Sequence, residues 1–201
     1  MRRLLTQIIV LSVGAVALVG LGGVSALLAA RQPEVAADST DITTVRAQLA
    51  DTKRELERAH QILEYSGRYA IPADLSAQIY DIAVAEGIPT SIGFQLVKVE
   101  SDFQNTALST ASAIGLTQLR LATARAYDAK VDPSDLMNSD VNLRIGFRYL
   151  KDLMNRFDHD LALALEAYNK GPTFVSAEQD QGRDVTGRYS KAVIGGVRKR
   201  G

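Results

Sequence analysis

The stretch from Leu4 to Ala30 carries no charged side chain and is rich in Val, Leu, Ile, Ala and Gly. A helix needs about 20 apolar residues to cross the hydrocarbon core of a bilayer, whereas the apolar core of a secretory signal is shorter, about 7–15 residues. The length therefore favours a retained transmembrane anchor over residues 1–30. A cleaved signal stays open as the alternative, because Ala26 and the Leu28-Ala29-Ala30 segment offer small residues to a peptidase.

Basic side chains are distributed unevenly around this apolar stretch. Arg2 and Arg3 precede it, and only Arg31 follows it closely, with acidic residues soon after. Because Lys and Arg favour the cytoplasmic side of a membrane, the N-terminus is predicted in the cytoplasm and everything after Arg31 outside. In a bacterium this is a single-pass protein of the inner membrane, with its folded part in the periplasm.

Residues 31–69 are predicted to form a linker followed by a helical stalk. Positions 31–41 are small and polar, as in a linker, and from Ile42 to Tyr69 the pattern is helical and charged, with a seam at heptad spacing. The seam consists of Leu49, Leu56 and Leu63, alternating with Val45, Thr52, Ala59 and Ser66. Two interpretations stay open. One is a coiled coil that forms a homodimer or holds the domain off the membrane; the other is a single helix packed on the following domain.

The remainder, residues 70–201, shows helical periodicity and no series of alternating strands. Gly87, Asp132-Pro133 and Gly171-Pro172 are natural breaks between helices. The predicted helices are 73–86, a segment opened by Pro89-Thr90-Ser91, 117–129, 140–157, 161–170 and 189–197, with a structured loop over 104–116. The predicted fold class is all-α: a compact helical domain, preceded by the transmembrane helix and the coiled-coil-like stalk.

Composition excludes several classes of function. The chain has no cysteine, which excludes a thiolate zinc site and a lipid-modified cysteine anchor. His60 and His159 lie far apart and lack ligand spacing, so no metal site is predicted. Lys and Arg number 23, as do Asp and Glu. A nucleic-acid-binding protein usually shows a basic excess or stripe, so no nucleic-acid partner is predicted.

Glu100 is the strongest candidate for chemistry. It lies near the C-terminal end of the helix that Ser91 opens, where the negative pole of the helix dipole disfavours a carboxylate. Apolar neighbours such as Val97, Val99 and Phe103 would add desolvation if they lined the same pocket. Both effects raise a carboxyl pKa, as a general acid requires near neutral pH. Taken alone, a glutamate at such a position is far more often an ordinary exposed helix residue, and only the motifs that follow change this interpretation.

Short motifs in a fixed order surround this glutamate. They are Val99-Glu100-Ser101-Asp102-Phe103, Ser109, Gly115-Leu116-Thr117-Gln118, Asn142 with Gly146, Tyr149-Leu150, and Ala167-Tyr168-Asn169-Lys170-Gly171-Pro172. Together they strongly resemble the soluble lytic transglycosylase domain, a family with a goose-type-lysozyme-like helical fold. The resemblance covers about residues 72–190.

The resemblance implies a role for each matching position. Glu100 matches the single catalytic acid and base, and Ser109 a hydroxyl that positions that carboxyl or the sugar. Gln118 matches the amide that closes its loop against the saccharide, and Tyr168 and Asn169 match groups that face the same subsite. Asn142 and Gly146 are expected to set helix packing instead.

Three positions depart from the family pattern. Thr117 stands where the family usually has a methionine that packs on the sugar, and Ser112 where its loop often has glycine. Lys170 replaces a commoner small residue, and it either meets an anionic group of the substrate or is solvated.

The family's reaction follows from its single acid. Hydrolytic glycosidases generally use two carboxylates about 5–9.5 Å apart, and Asp102 is poorly placed as a partner because residues two apart on a helix point to different sides. The resemblance therefore implies that Glu100 cleaves the β-1,4 bond between N-acetylmuramic acid and N-acetylglucosamine in peptidoglycan. The product is a 1,6-anhydro ring, and neither metal nor cofactor is required. The alternatives are a hydrolytic muramidase on the same fold and a non-catalytic wall-binding scaffold.

Overall fold

The structure is a computed structural model that describes residues 33–198. The chain divides into two units, residues 1–52 and 53–201. The described part of the first unit is helical and belongs to α1, Pro33–Tyr69, whose later turns belong to the second unit. Among the residues described, no helix combines the length and apolar character needed to cross a membrane. The anchor predicted at Leu4–Ala30 lies outside them.

Helix α1 begins within the segment predicted as a linker. Its heptad seam is exposed: Leu49, Leu56 and Leu63 are 53%, 70% and 64% accessible to solvent. A different face of its last turns, with Ile62 and Tyr65, is buried against the domain. The packing interpretation is therefore correct for the end of α1, but it uses a face other than the seam.

The second unit is mostly helical, as predicted, with one small hairpin. Its helices are α2 Ala73–Glu86, α3 Thr90–Ser101, α4 Leu121–Arg125, α5 Ser139–Arg156, α6 Leu161–Lys170, α7 Pro172–Asp180 and α8 Arg188–Arg198, with a 3₁₀ turn at Asp135–Met137. Strands β1 Ala113–Ile114 and β2 Leu119–Arg120 pair antiparallel, with Ala113 opposite Arg120.

The core of this unit lies between α2, α3, α5, α6 and α8. Its fully buried side chains include Phe94, Leu96, Phe147, Leu150 and Leu165. A second apolar cluster, with Ile114, Leu119, Leu136 and Ile145, lies under the hairpin and joins it to α5. The hairpin and the helices therefore form one packed body around the cleft described below.

Local signals account for several helix ends. Gly87 ends α2 in the left-handed conformation, with φ of 73°. The Asn138 side chain accepts the first N–H groups of α5, and Asp160 does the same for α6. Gly171 ends α6 as predicted, but Pro172 at the first helical position then opens α7, which the sequence analysis did not predict.

The predicted helix over 117–129 is wrong at both ends. Residues 117–120 form a turn and strand β2, and only Leu121–Arg125 are helical. The cause at the N-terminal end is tertiary, because the side chain of Asn142 on α5 binds the backbone of the loop around Thr117. Its Nδ2 donates to the carbonyls of Ile114 and Leu136, both at 2.9 Å, and its Oδ1 accepts from the Thr117 N–H at 2.8 Å.

Close contacts reinforce this attachment of the loop to α5. Gly115 has a φ of 78°, and a Cβ there would clash with the Asn142 amide. The Thr117 hydroxyl donates to Asn142 Oδ1 at 2.7 Å, and a Cβ on Gly146 would clash with the Thr117 side chain. Asn142 and Gly146 thus set packing, as the sequence analysis expected.

Replacement of Asn142 by alanine should lower the free energy of unfolding by about 2–4 kcal/mol, because it leaves buried backbone groups without partners. Urea denaturation followed by circular dichroism measures the change. Asn155, exposed on α5, is the matched control, and its alanine variant should stay within about 0.5 kcal/mol of the parent protein. Equal stabilities of the two variants would contradict the role given to Asn142.

Candidate active site

A cleft of about 410 Å³ opens beside the hairpin and α6. Its lining includes all five residues that the sequence analysis singled out: Glu100, Ser109, Gln118, Tyr168 and Asn169. They come from α3, the loop after it, the turn before β2, and the end of α6. The fold therefore brings together residues that are separated by up to about 70 positions in the chain.

The catalytic candidate Glu100 lies in the last turn of α3. The helix stops just after it because Asp102 and Phe103 adopt left-handed conformations, with φ of 50° and 63°. The Glu100 side chain is largely withdrawn from water, and this burial raises the pKa of its carboxyl to about 7. Burial was one of the two causes predicted. A group with this pKa can both donate and accept a proton near neutral pH.

A second group at the acid was not predicted as a site residue. The Tyr189 hydroxyl, from the first turn of α8, donates a hydrogen bond to Glu100 Oε1. This bond opposes the effect of burial on the Glu100 pKa. Burial and the neighbouring Glu100 charge hold the pKa of Tyr189 well above its usual value, so the hydroxyl keeps its proton and stays a donor. Its contact with Glu100 spans 89 positions, and no local motif predicts it.

Tyr168 forms one wall of the cleft together with Tyr149. The Tyr168 hydroxyl donates to the Thr117 carbonyl at 2.8 Å, which ties α6 to the loop before β2. Its ring is tilted against that of Tyr149, with centroids 5.1 Å apart. Tyr149 is half-buried and also lines the cleft.

The loop residues of the cleft bind one another. Gln118 adopts a φ of 48°, and its Nε2 donates to the carbonyls of Gly115 at 2.9 Å and Ala107 at 3.2 Å. The Ser109 hydroxyl accepts the Ala113 N–H at 3.0 Å. These bonds hold both side chains at the rim of the cleft. The roles predicted for Ser109, Gln118, Tyr168 and Asn169 toward a sugar stay predictions.

The three departures from the family pattern now have local explanations. Thr117 is buried against Asn142 on α5, so its side chain does not reach the cleft, and its carbonyl accepts the hydrogen bond of Tyr168. Ser112 adopts the left-handed conformation that glycine favours, with φ of 57°. Lys170 is not simply solvated: its Nζ lies 2.9 Å from Glu166 Oε2.

The cleft wall contains more basic than acidic side chains. Among the described residues that line it, Glu100 is the one carboxylate, and Arg120 and Lys170 supply positive charge. The nearby Asp102 is 63% exposed, forms an ion pair with Lys98 and does not line the cleft. Within residues 33–198, no group of three or more His, Asp or Glu side chains could hold a metal ion. The geometry provides one proton donor and acceptor in a polar groove.

Comparisons with known proteins agree with this geometry. The family model of the transglycosylase SLT domain matches residues 79–189, more than half of the chain. The peptidoglycan transglycosylase gp16 of Escherichia phage T7 is 29% identical over 104 residues, which cover 50% of this chain and 8% of the phage protein.

Two solved structures share the fold. An inactive glutamate-to-glutamine mutant of lytic transglycosylase Slt from Pseudomonas aeruginosa is 28% identical with a TM-score of 0.55, over 60% of this chain and 23% of that chain. The 70 kDa soluble lytic transglycosylase of Escherichia coli is 22% identical with a TM-score of 0.55, over 66% of this chain and 24% of that chain. The chain thus spans less than a quarter of the length of each of these relatives.

Replacement of Tyr189 by phenylalanine should raise the pKa of Glu100 above about 7, because the hydrogen bond that stabilises its ionised form is lost. Titration of ¹³C-labelled carboxyl groups by NMR measures this pKa, and a Glu100→Gln variant identifies the signal. Tyr127→Phe is the control, because the Tyr127 hydroxyl donates to Asp152 instead. An unchanged or lowered Glu100 pKa in Tyr189→Phe would show that the contact has no electrostatic effect.

Proposed function

The chain belongs to the transglycosylase SLT domain family, and we propose that it is a lytic transglycosylase that cleaves the glycan strands of peptidoglycan. The bond cleaved is the β-1,4 link between N-acetylmuramic acid and N-acetylglucosamine. One observation carries this proposal: a half-buried glutamic acid with a pKa of about 7 lines a polar cleft, with a tyrosine hydroxyl donating to it.

In the first step, protonated Glu100 gives its proton to the bridging glycosidic oxygen as the bond from that oxygen to C1 of the muramic acid breaks. The carboxylate that remains accepts the Tyr189 hydrogen bond, which stabilises it at the moment its charge appears. The positive charge at C1 is stabilised by the substrate's own acetamido oxygen.

In the second step, Glu100 takes the proton of the C6 hydroxyl, and the C6 oxygen bonds to C1. This closes the 1,6-anhydro ring and returns Glu100 to its protonated form. No water is consumed. A pKa of about 7 suits a group that must act first as acid and then as base.

The charge content of the cleft favours this reaction over hydrolysis. A two-carboxylate hydrolase needs a second acid about 5–9.5 Å from the first. Within the described lining of the cleft there is none besides Glu100. The solved Pseudomonas relative is an inactive mutant in which glutamine replaces a glutamate. In that protein activity depends on a glutamate, as proposed here for Glu100.

Glu100→Gln should abolish cleavage while the protein stays folded. Purified peptidoglycan is digested with each variant, and the products are identified by mass spectrometry. The parent protein should release 1,6-anhydromuramyl products, and Glu100→Gln should release none above background. Asp102→Asn is the matched control, because Asp102 lies two positions away and outside the cleft, and it should retain activity.

The stability of Glu100→Gln provides an internal check. The pKa of Glu100 is about 7 in the folded protein against an ordinary 4.5, so folding disfavours its ionised form. The ionised Glu100 carboxylate therefore destabilises the folded parent protein. This effect is absent below about pH 4.5, grows between pH 4.5 and 7 and is complete above about pH 7. Since one pKa unit corresponds to about 1.4 kcal/mol, the variant should be more stable than the parent by on the order of 3 kcal/mol at pH 8, and no more stable at pH 4.

The other outcomes decide between the alternatives. Reducing-end products would indicate a hydrolytic muramidase on this fold. Peptidoglycan binding without any product from the parent protein would indicate a wall-binding scaffold. Full activity in Glu100→Gln would show that Glu100 is not the catalytic acid.

We further propose that residues 1–30 anchor the protein in the inner membrane, with the domain in the periplasm, and that α1 pairs two copies in parallel. The anchor is supported by the uncharged stretch Leu4–Ala30. Pairing is supported by the exposed heptad leucines of α1, whose burial in a coiled coil would remove them from water.

Single-cysteine variants can test this arrangement cleanly because the chain has no cysteine of its own. Leu49→Cys lies on the seam, and Ala47→Cys lies about 200° around the helix from it. Both positions are exposed. In membranes under mild oxidation, Leu49→Cys should form a disulfide-linked dimer and Ala47→Cys should not. Monomers for both variants would contradict pairing, and recovery of the protein outside the membrane fraction would contradict the anchor.

A further inference from the structure

Glu166 is a buried carboxylate for which the proposed reaction has no use. It lies on α6, and its side chain is 1% exposed. A buried charge is tolerated only when other groups match it closely. Here the Lys170 ammonium lies 2.9 Å from Oε2, and two backbone N–H groups donate to Oε1, from Gly187 at 2.8 Å and from Ser190 at 3.0 Å.

Both N–H groups belong to the start of α8. The first N–H groups of a helix have no partners within it, and negative charge there is favoured by the helix dipole. The residue before a helix normally caps it with its own side chain, but Gly187 stands in that place and has none. A Cβ on Gly187 would lie 3.1 Å from Glu166 Oε1. Glu166 therefore caps α8 from a neighbouring helix, in space that a side chain at 187 would occupy.

Tyr189 lies between these two attachment points, and its hydroxyl donates to Glu100. The geometry of an O–H···O bond is restrictive, with oxygen atoms about 2.5–3.0 Å apart. A shift of the first turn of α8 would carry the Tyr189 side chain with it. The position of the hydroxyl at the acid thus depends on how this turn is held.

The charge on Glu166 persists while Glu100 titrates. Burial acts to raise the pKa of Glu166, but the Lys170 ammonium and the N–H groups of Ser190 and Gly187 outweigh it, and the pKa lies below the usual value. The cap is therefore ionised throughout the range in which the Glu100 carboxyl gains and loses its proton.

We propose that Glu166 is a positioning residue for the acid: by capping α8 it holds the Tyr189 hydroxyl against the Glu100 carboxyl. The effect of Glu166 on catalysis rests on the function proposed above, whereas its effect on the Glu100 pKa does not. Glu166 itself touches no reacting atom.

The pKa of Glu100, measured by carboxyl ¹³C NMR on the full-length chain, tests the proposal. Glu166→Gln should raise this pKa, because the hydrogen bond from Tyr189 that lowers it is weakened. Removal of a negative charge by itself would lower the pKa of a neighbouring acid, so the direction separates the two effects. Glu178 lies on α7 and is paired with Arg183. Its replacement by glutamine should leave the Glu100 pKa unchanged.

A double-mutant cycle identifies the route of the effect. In a Tyr189→Phe background, Glu166→Gln should cause no further rise in the Glu100 pKa. If activity is present, Glu166→Gln should lower kcat roughly 10- to 100-fold and change KM much less, because Glu166 itself does not line the cleft, although its partner Lys170 does. A Glu100 pKa that is unchanged or lowered in Glu166→Gln, or a rise that adds fully to that of Tyr189→Phe, would overturn the proposal.

Gly187→Ala decides the matter if Glu166→Gln does not fold. This variant keeps the Glu166 charge, but the new Cβ at position 187 crowds the Glu166 carboxylate. It should therefore also raise the Glu100 pKa, and an unchanged Glu100 pKa would count against the proposal. An inactive parent protein with the pKa coupling intact would refute the proposed function and leave this inference standing.

Discussion

A carboxyl group withdrawn from water is the constraint around which the domain is organised. Glu100 is on α3 and its hydroxyl donor Tyr189 is on α8, so these two helices must lie close together. Their approach is fixed by Gly196, where any side chain would clash with the Gln95 amide. Gln95 in turn donates to the Tyr69 hydroxyl at 2.8 Å and so links α3 to the end of α1. The environment of one acid thus involves three helices.

Glu100 and Glu166 have opposite electrostatics. Glu100 has few partners, and burial raises its pKa toward neutrality. Glu166 is more deeply buried, but a cation and two N–H groups compensate its charge, and its pKa falls. Burial alone therefore does not determine whether a carboxyl can exchange a proton. The number and charge of the groups that contact the carboxyl also matter. Among the described residues, Glu100 has only a hydroxyl donor and no cation to offset its burial, so it can hold a proton near neutral pH.

Most of the helices were predictable because their signals are local. Gly87, Asp160 and Gly171 end or begin helices through their own conformations or side chains. The predicted helix over 117–129 failed because the amide of Asn142, from a distant helix, outweighs local preference there. The predicted site residues were found through motifs of a few residues each. Tyr189 and Glu166 were missed because their roles arise only from contacts across the fold.

The position of α8 has a consequence for the order in which the site is completed. Synthesis proceeds from the N-terminus, so Glu100 leaves the ribosome well before Tyr189. A nascent chain that ends before α8 contains the acid without its hydroxyl donor and without the helix packed beside α3. The hydrogen-bonded acid proposed for this fold is therefore assembled only when the last helix has docked, after translation of the domain is finished.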